Sequence, residues 1–438
     1  MQRWLRSIYT AALPGLAVAF LTLPILADDW PQHLGIQQDA TSAETGLLDA
    51  WPANGPPELW RHDVGVGFAG PAIVDGQVFL NDRVHGEADV LRVFNLDTGE
   101  ELWQFRYDAP GRINFPGSRS TPCVTDTHVY MTGGFGHIHA VNRETHRADW
   151  QFNIYDRYPD ENKRFGYGPS AVIVDDILLI TPTAQGDPVV VALNPQTGET
   201  VWESQARLET LHSFHTPVVR EIAGVRGISV RDRTHVHFVS IDTGQTIWSH
   251  QVYEIQGGPH VTIPPVTVLG RNNQYVFCTN GYENGSVLFE VKPIAAAIRI
   301  EEIYRIPEGG QVHPAIYYEK YLYLNINENA NLLRGRNLQG GLACIDPQNG
   351  EVVWKTRNAP NLNRGATTLV DGKLLAFDGD TGELMLIDPG PERFRLISKF
   401  VALEGRGNSN NAWSPLVVSD GRLVVRDHRQ VVCFDLRQ

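Results

Sequence analysis

Asn95-Leu96-Asp97-Thr98-Gly99-Glu100-Glu101-Leu102-Trp103 returns with the same spacing as Asn194-Pro195-Gln196-Thr197-Gly198-Glu199-Thr200-Val201-Trp202. The pattern recurs from Asn142 to Trp150 with Thr145-His146 in place of Thr-Gly, from Ser240 to Trp248 through Asp242-Thr243-Gly244, and from Asp346 to Trp354 through Asn349-Gly350. An Asn or Asp start followed by Gly suits a tight reversal between two strands, because Gly takes the positive φ that other residues resist. Trp then leads the next strand. Ahead of these turns, apolar runs reverse at Asp-Gly: Ala72-Ile73-Val74-Asp75-Gly76-Gln77-Val78-Phe79 and Thr368-Leu369-Val370-Asp371-Gly372-Lys373-Leu374-Leu375 are the clearest. Val418-Ser419-Asp420-Gly421 and Val124-Thr125-Asp126-Thr127 are variants. Such dipeptides favour hairpins whose twist matches paired strands. Each repeat therefore reads as a strand, a hairpin turn, two further strands, the Thr-Gly turn and a fourth strand bearing Trp.

Four antiparallel strands every roughly 42 to 56 residues is the spacing of propeller blades rather than of helical solenoids. Fourth-strand positions fall at Trp60, Trp103, Trp150, Trp202, Trp248, a decayed one near Tyr304, Trp354, and a decayed one near Leu396. Trp60 has no strands of its own before it, while Trp413 to Leu436 supplies three strands with no fourth after them. The two halves complete each other. The sequence predicts an all-β, eight-bladed propeller of four-stranded antiparallel blades, its ring closed by an N-terminal strand, which removes the open edge. The six Trp residues (Trp60, Trp103, Trp150, Trp202, Trp248, Trp354) are expected to wedge between adjacent sheets, each burying roughly 150 to 250 Å².

The composition agrees with that architecture. The chain has 438 residues, 42% of them apolar and 20% charged, with 41 Gly and 27 Pro, which suits a large core of short strands and many turns. Its formal charge of -13 argues against a nucleic-acid partner. Arg3 and Arg6, the apolar stretch Ala11 to Leu26 and then Ala27 read as an export signal over 1–27. Residues 28–56 are expected to form an N-terminal extension and 57–438 the propeller. The predicted mature chain has no membrane-spanning segment, is a monomer, and resides in the periplasm or outside the cell. Cys344 and Cys433 occupy one repeat position in different blades, and Cys123 and Cys278 lie in other strands, so four free buried thiols are expected.

The Asp/Asn-x-x-Thr-Gly-x-x-x-Trp repeats, with Asp29-Trp30-Pro31-Gln32 and Glu44-Thr45-Gly46-Leu47 upstream, resemble the pyrroloquinoline-quinone-like β-propeller repeat proteins over residues 29 to 438. That family includes an outer-membrane assembly lipoprotein and the quinoprotein alcohol dehydrogenases. The resemblance implies either a non-catalytic binding or assembly scaffold or a dehydrogenase using pyrroloquinoline quinone (PQQ) and calcium. The dehydrogenases carry an adjacent cysteine pair beside the quinone, and no two of the four Cys here are neighbours. The lipoprotein is tethered through an N-terminal Cys that has no match here. No cofactor is therefore expected, with PQQ and calcium as the alternative.

The first strand of each propeller blade lines the central channel, so residues at first-strand starts converge on one mouth. Pro71, Pro122, Pro169, Pro217, Pro265, Pro314 and Pro415 mark those starts, where the innermost strand leaves N–H groups without ladder partners. Near them stand Arg119, Tyr167, His215, His260, His313, Arg364, Asn411 and Trp413, a convergent polar and aromatic set suited to a ligand. His215, His260 and His313 invite a metal, since neutral imidazole binds zinc or copper. Hydrogen bonding to channel water or backbone is the plainer reading, and no metal is expected. Arg119 and Arg364 have the planar forks that bind carboxylate or phosphate. The loop Asn325 to Gly341 is longer than a hairpin turn needs. No Gly-x-Ser-x-Gly elbow, His-Glu-x-x-His, Walker loop or dinucleotide signature occurs, and no catalytic residue is assigned. The sequence thus predicts a scaffold that takes a protein partner, or an anionic or sugar small molecule, at the propeller face. A quinoprotein dehydrogenase and a carbohydrate-active propeller are its alternatives.

Overall fold

In the turn opening at Asn95, the Asn95 Oδ1 accepts the amides of Asp97 and Thr98 at 3.0 and 2.9 Å, and the Gly99 amide donates to the Asn95 carbonyl at 2.9 Å. Asn142 and Asn194 hold their turns the same way, which is why an Asn or Asp opens each repeat. The hairpins are equally regular: Asp75-Gly76, Asp371-Gly372 and Asp420-Gly421 all have φ between 49° and 68°, the paired positive values of the turn that matches strand twist.

A computed structural model of the chain describes residues 29–161, 165–210, 214–254, 261–294, 297–326, 340–357, 359–403 and 412–438. The predicted export signal, His260, Asn411 and most of the loop after Asn325 lie outside the described residues.

The described strands form eight four-stranded antiparallel sheets, and the described helix is limited to Ile154–Arg157. Blade 1 comprises Ala72–Val74, Gln77–Val84, Ala88–Asn95 and Glu101–Asp108. Blades 2 to 7 repeat that order through residue 401. Blade 8 takes Val417–Ser419, Arg422–Arg426 and Gln430–Asp435 from the C-terminal end and Glu58–Asp63 from the N-terminal region, with Trp60 opposite Cys433. The ring closes as the repeat count predicts. Around the axis, first strands meet their neighbours, Ala72–Val74 touching both Cys123–Val124 and Val417–Ser419. In every blade a β-bulge follows the residue opposite the Trp position, as between Val93 and Phe94 opposite Trp103. That bulge sharpens the twist of the outermost pair.

The core is a series of apolar layers between sheets, such as Val172, Leu179 and Val190 of blade 3 against Ile228, Val230 and Val239 of blade 4. Outside these layers runs an aromatic girdle. Trp60 Nε1 donates to Leu96 O at 2.7 Å, Trp150 to Pro195 O at 2.8 Å and Trp354 to Gly390 O at 2.8 Å, each acceptor belonging to the next blade. Tyr304 takes the equivalent place in blade 5, its hydroxyl donating to Pro347 O. In blade 2, where His146 replaces the turn Gly, the imidazole stacks on Trp103 at 4.3 Å and 9°. All four cysteines are buried free thiols. Among the described residues no helix is long and apolar enough to cross a membrane.

Residues 30–48 form a strap across the far end of the channel. Trp30 pairs with Ile73 of blade 1, and Pro31 O accepts the Val124 amide of blade 2. Gln38 bonds Pro217 O and the Val219 amide of blade 4, while Arg220 donates to the Gln37 and Gln38 carbonyls. Ala40 and Ser42 bond both faces of Leu369 in blade 7, and the Leu47 amide donates to Asp371. The strap thereby satisfies innermost-strand groups that have no ladder partner.

Candidate functional site

The mouth is held in place by polar side chains near the ends of the second strands. Asn81 Nδ2 donates to Ser120 O at 2.9 Å, Thr132 Oγ1 to Pro169 O at 2.9 Å, Arg231 Nη1 to Pro264 O at 2.8 Å and Asn325 Nδ2 to Gly365 O at 2.7 Å. Each bond fixes the approach to the next blade's first strand. Arg426 is the heaviest of these clamps: fully buried, it donates to Asn81 O at 2.8 Å and pairs with Asp82 at 3.3 Å.

Above the strap lies a cavity of about 550 Å³. Four of the residues picked out in the sequence line it: Arg119, His313, Arg364 and Trp413. Trp413 stacks on Phe68 with centroids 4.8 Å apart, and Phe115 packs against Trp413 at 5.7 Å. The guanidinium of Arg364 lies over the Trp413 ring at 4.7 Å while its Nε donates to Gln311 Oε1 at 2.8 Å, and Gln311 in turn donates to the Tyr282 hydroxyl. Arg119 folds back on the carbonyls of Asn114 and Phe115 and sits over the Phe68 ring at 5.7 Å. Burial lowers the pKa of both guanidiniums, that of Arg119 to about 10, which leaves Arg119 cationic at neutral pH. The described lining contains no carboxylate.

Tyr167 and His215 are not part of the wall. Tyr167 is buried between blades 2 and 3, its hydroxyl donating to Thr181 O at 3.0 Å. His215 is fully buried with Nδ1 3.3 Å from Ile263 O, and burial, reinforced by the Arg231 charge, pushes it down to about 3. The neutral ring must therefore donate from Nδ1. His33 joins the site instead. The strap carries it into the cavity lining, where burial and the nearby His313 push it down to about 3. His313, 6% exposed, is lowered by burial to about 4, and its Nε2 has no partner among the described residues. Nothing in the repeat pattern marks His33, because the strap lies outside the repeats.

The described lining offers aromatic faces, two guanidiniums and two imidazoles. A calcium ion does not fit the donors present: the described lining offers no carboxylate, and among the described residues no three His, Cys, Asp or Glu side chains gather as metal ligands. The four thiols are spread over four blades rather than paired.

Comparison with known proteins follows the architecture. The crystal structure of BamB from Moraxella catarrhalis superposes with a TM-score of 0.58 at 13% identity, covering 86% of this chain and 99% of that one. The quinohemoprotein alcohol dehydrogenase from Comamonas testosteroni gives 0.64 at 11% identity, covering 93% of this chain and 80% of that one. At these identities the likeness is one of fold. The quinoprotein alcohol dehydrogenase PedH of Pseudomonas putida is 22% identical over 191 residues, 42% of this chain, and the match spans 30% of PedH's own length. The family model described as outer membrane protein assembly factor BamB matches residues 40–181, 92–302 and 338–438. By its repeats, its eight blades and the extent of that match, the chain belongs to the PQQ-like β-propeller family typified by this assembly factor.

Proposed function

We propose that the protein is an exported, non-catalytic binding scaffold whose channel mouth holds an organic anion with an aromatic or apolar body. One observation carries this reading: Arg119 and Arg364 converge with Trp413 and Phe68 on a cavity whose described lining has no carboxylate. Charge-assisted hydrogen bonds to a guanidinium are strong and directional, and partial burial reduces the screening that weakens them in water. The chain as a whole carries -13, so attraction for an anion must come from this local field and not from net charge. Arg3, Arg6 and the apolar run ending at Leu26 support export, and a secreted product beginning near Asp28 would bear that out.

The test uses naphthalene-2-sulfonate as probe and calorimetric titration as readout. The Arg119→Ala, Arg364→Ala double variant should keep its β-sheet circular dichroism and bind the probe at least roughly tenfold more weakly. Equal affinity would remove the mouth as the site.

A second reading, a quinoprotein dehydrogenase, draws on the fold shared with the Comamonas enzyme and on the aromatic and guanidinium walls, which also suit a planar quinone acid. Adding PQQ with and without calcium separates the two readings. Cofactor absorbance together with dye-coupled alcohol oxidation would favour the enzyme.

A further inference from the structure

His33 and His313 reach the cavity from different parts of the chain, one on the strap and the other at the start of blade 6. Burial keeps each imidazole neutral, although the backbone at Trp413 and Arg364 pulls His313 the other way. His33 is opposed by His313, and both share the lining with Arg119 and Arg364. Behind them His215 feels His33 and Arg231. Tyr282 faces Arg364 from blade 5, and Asp380 lies toward Arg364 without being part of the described lining. His313 also keeps an Nε2 with no partner among the described residues although it is 94% buried. A nearly buried donor or acceptor left unmatched costs free energy unless something meets it.

We infer that His33 and His313 form the proton-accepting floor of the anion site, taking up about one proton between them when an organic anion binds against Arg119 and Arg364. This rests on the reading that the mouth binds an anion. Without a guest, burial holds the pair neutral, His33 down at about 3 with His313 adding to the effect, and His313 at about 4. A bound anion favours the imidazolium form and raises both, so the proton enters from solvent onto an imidazole nitrogen and no other bond changes. Linkage then fixes the sign: a site that binds a proton with its ligand gains affinity as pH falls from neutral toward 5.

Calorimetric titration with naphthalene-2-sulfonate, whose charge does not change over this range, tests the idea between pH 5 and 8 in buffers of different ionisation heat. The native protein should take up about 0.5 to 1 proton at pH 5.5, and its affinity should rise roughly tenfold from pH 7.5 to 5.5. His33→Gln, on the strap, and His313→Gln should each flatten that slope and reduce proton uptake, with circular dichroism checking that each variant folds. Binding with no pH dependence and no proton exchange would overturn the inference while leaving the anion site intact. An undiminished slope in the double variant would do the same. No binding at any pH would instead defeat the reading on which it rests.

Discussion

Around the girdle, Trp60, Trp150 and Trp354 make the same bond to the next blade, whereas at the mouth Arg119, Arg364, His33 and His313 each occupy a place that no other blade repeats. The girdle can be periodic because its task is the same at each of these sheet boundaries: cover an apolar layer and satisfy one turn carbonyl. The mouth surrounds a single axis, so its residues serve one guest and gain nothing from repetition. Stability and recognition therefore sit at different radii, and substitutions should separate them.

The largest effect is expected at the clamp that supports the mouth. Arg426→Ala strips the fully buried Asp82 of its nearest cation, a change worth about 3–5 kcal/mol of stability. A fall of that size in denaturation free energy would show that the inner ring depends on charge. A loss below about 1 kcal/mol would mean the girdle alone holds the sheets. In the girdle itself, Trp60→Ala should cost about 3–4 kcal/mol, because Trp60 is 7% exposed and gives up its bond to Leu96. Trp202, half-buried, should cost less when truncated, about 2–3 kcal/mol. Equal losses would break the link between burial and docking.

Acid should act on the mouth before the girdle. His215 and His313 have folded values near 3 and 4, below the ordinary 6.5, so the unfolded chain protonates first. Their stability is complete above pH 6.5 and drains away as pH falls toward those folded values. At pH 5 each accounts for up to about 2 kcal/mol, and His215→Gln should flatten the pH profile of the unfolding midpoint by about that much. The smallest difference, about 1–2 kcal/mol between two turn glycines, sharpens the account of the turns. Gly99→Ala would place a Cβ 2.5 Å from Trp60 at φ +73°, while Gly76→Ala meets open space at φ +66°. Thermal melts should show about 2–3 kcal/mol for the former and about 1 kcal/mol for the latter.

The periodic half of the molecule was legible because one constraint writes itself into the chain again and again, with Trp at six of the eight blade positions. Asn95, Gly99 and Trp103 each have a separate local reason to be what they are, and together they give strand number, turn type and ring closure. Where the repeat decays, a distant segment fills in. The blade 7 position expected near Leu396 falls at Ser398, whose Oγ accepts the Trp51 amide, and Trp51 packs edge-on against Phe400. No spacing rule links residues that far apart. The mouth was half legible for a similar reason. Tyr167, His215 and Trp413 all stand two residues before a proline, but only Trp413 lines the cavity, since the segments entering each first strand follow different paths. His33 had no signal, being a single imidazole on a strap whose course is set by bonds to blades 1, 2, 4 and 7.

The pairing of Glu58–Asp63 with Gln430–Asp435 also sets an order of events during synthesis. The early segment stays unpartnered until Gln430–Asp435 has been made and delivered to it. A product cut short before Gln430 would keep two bare strand borders, the setting in which copies join to one another rather than to themselves. That pairing is thus the latch on which ring closure depends.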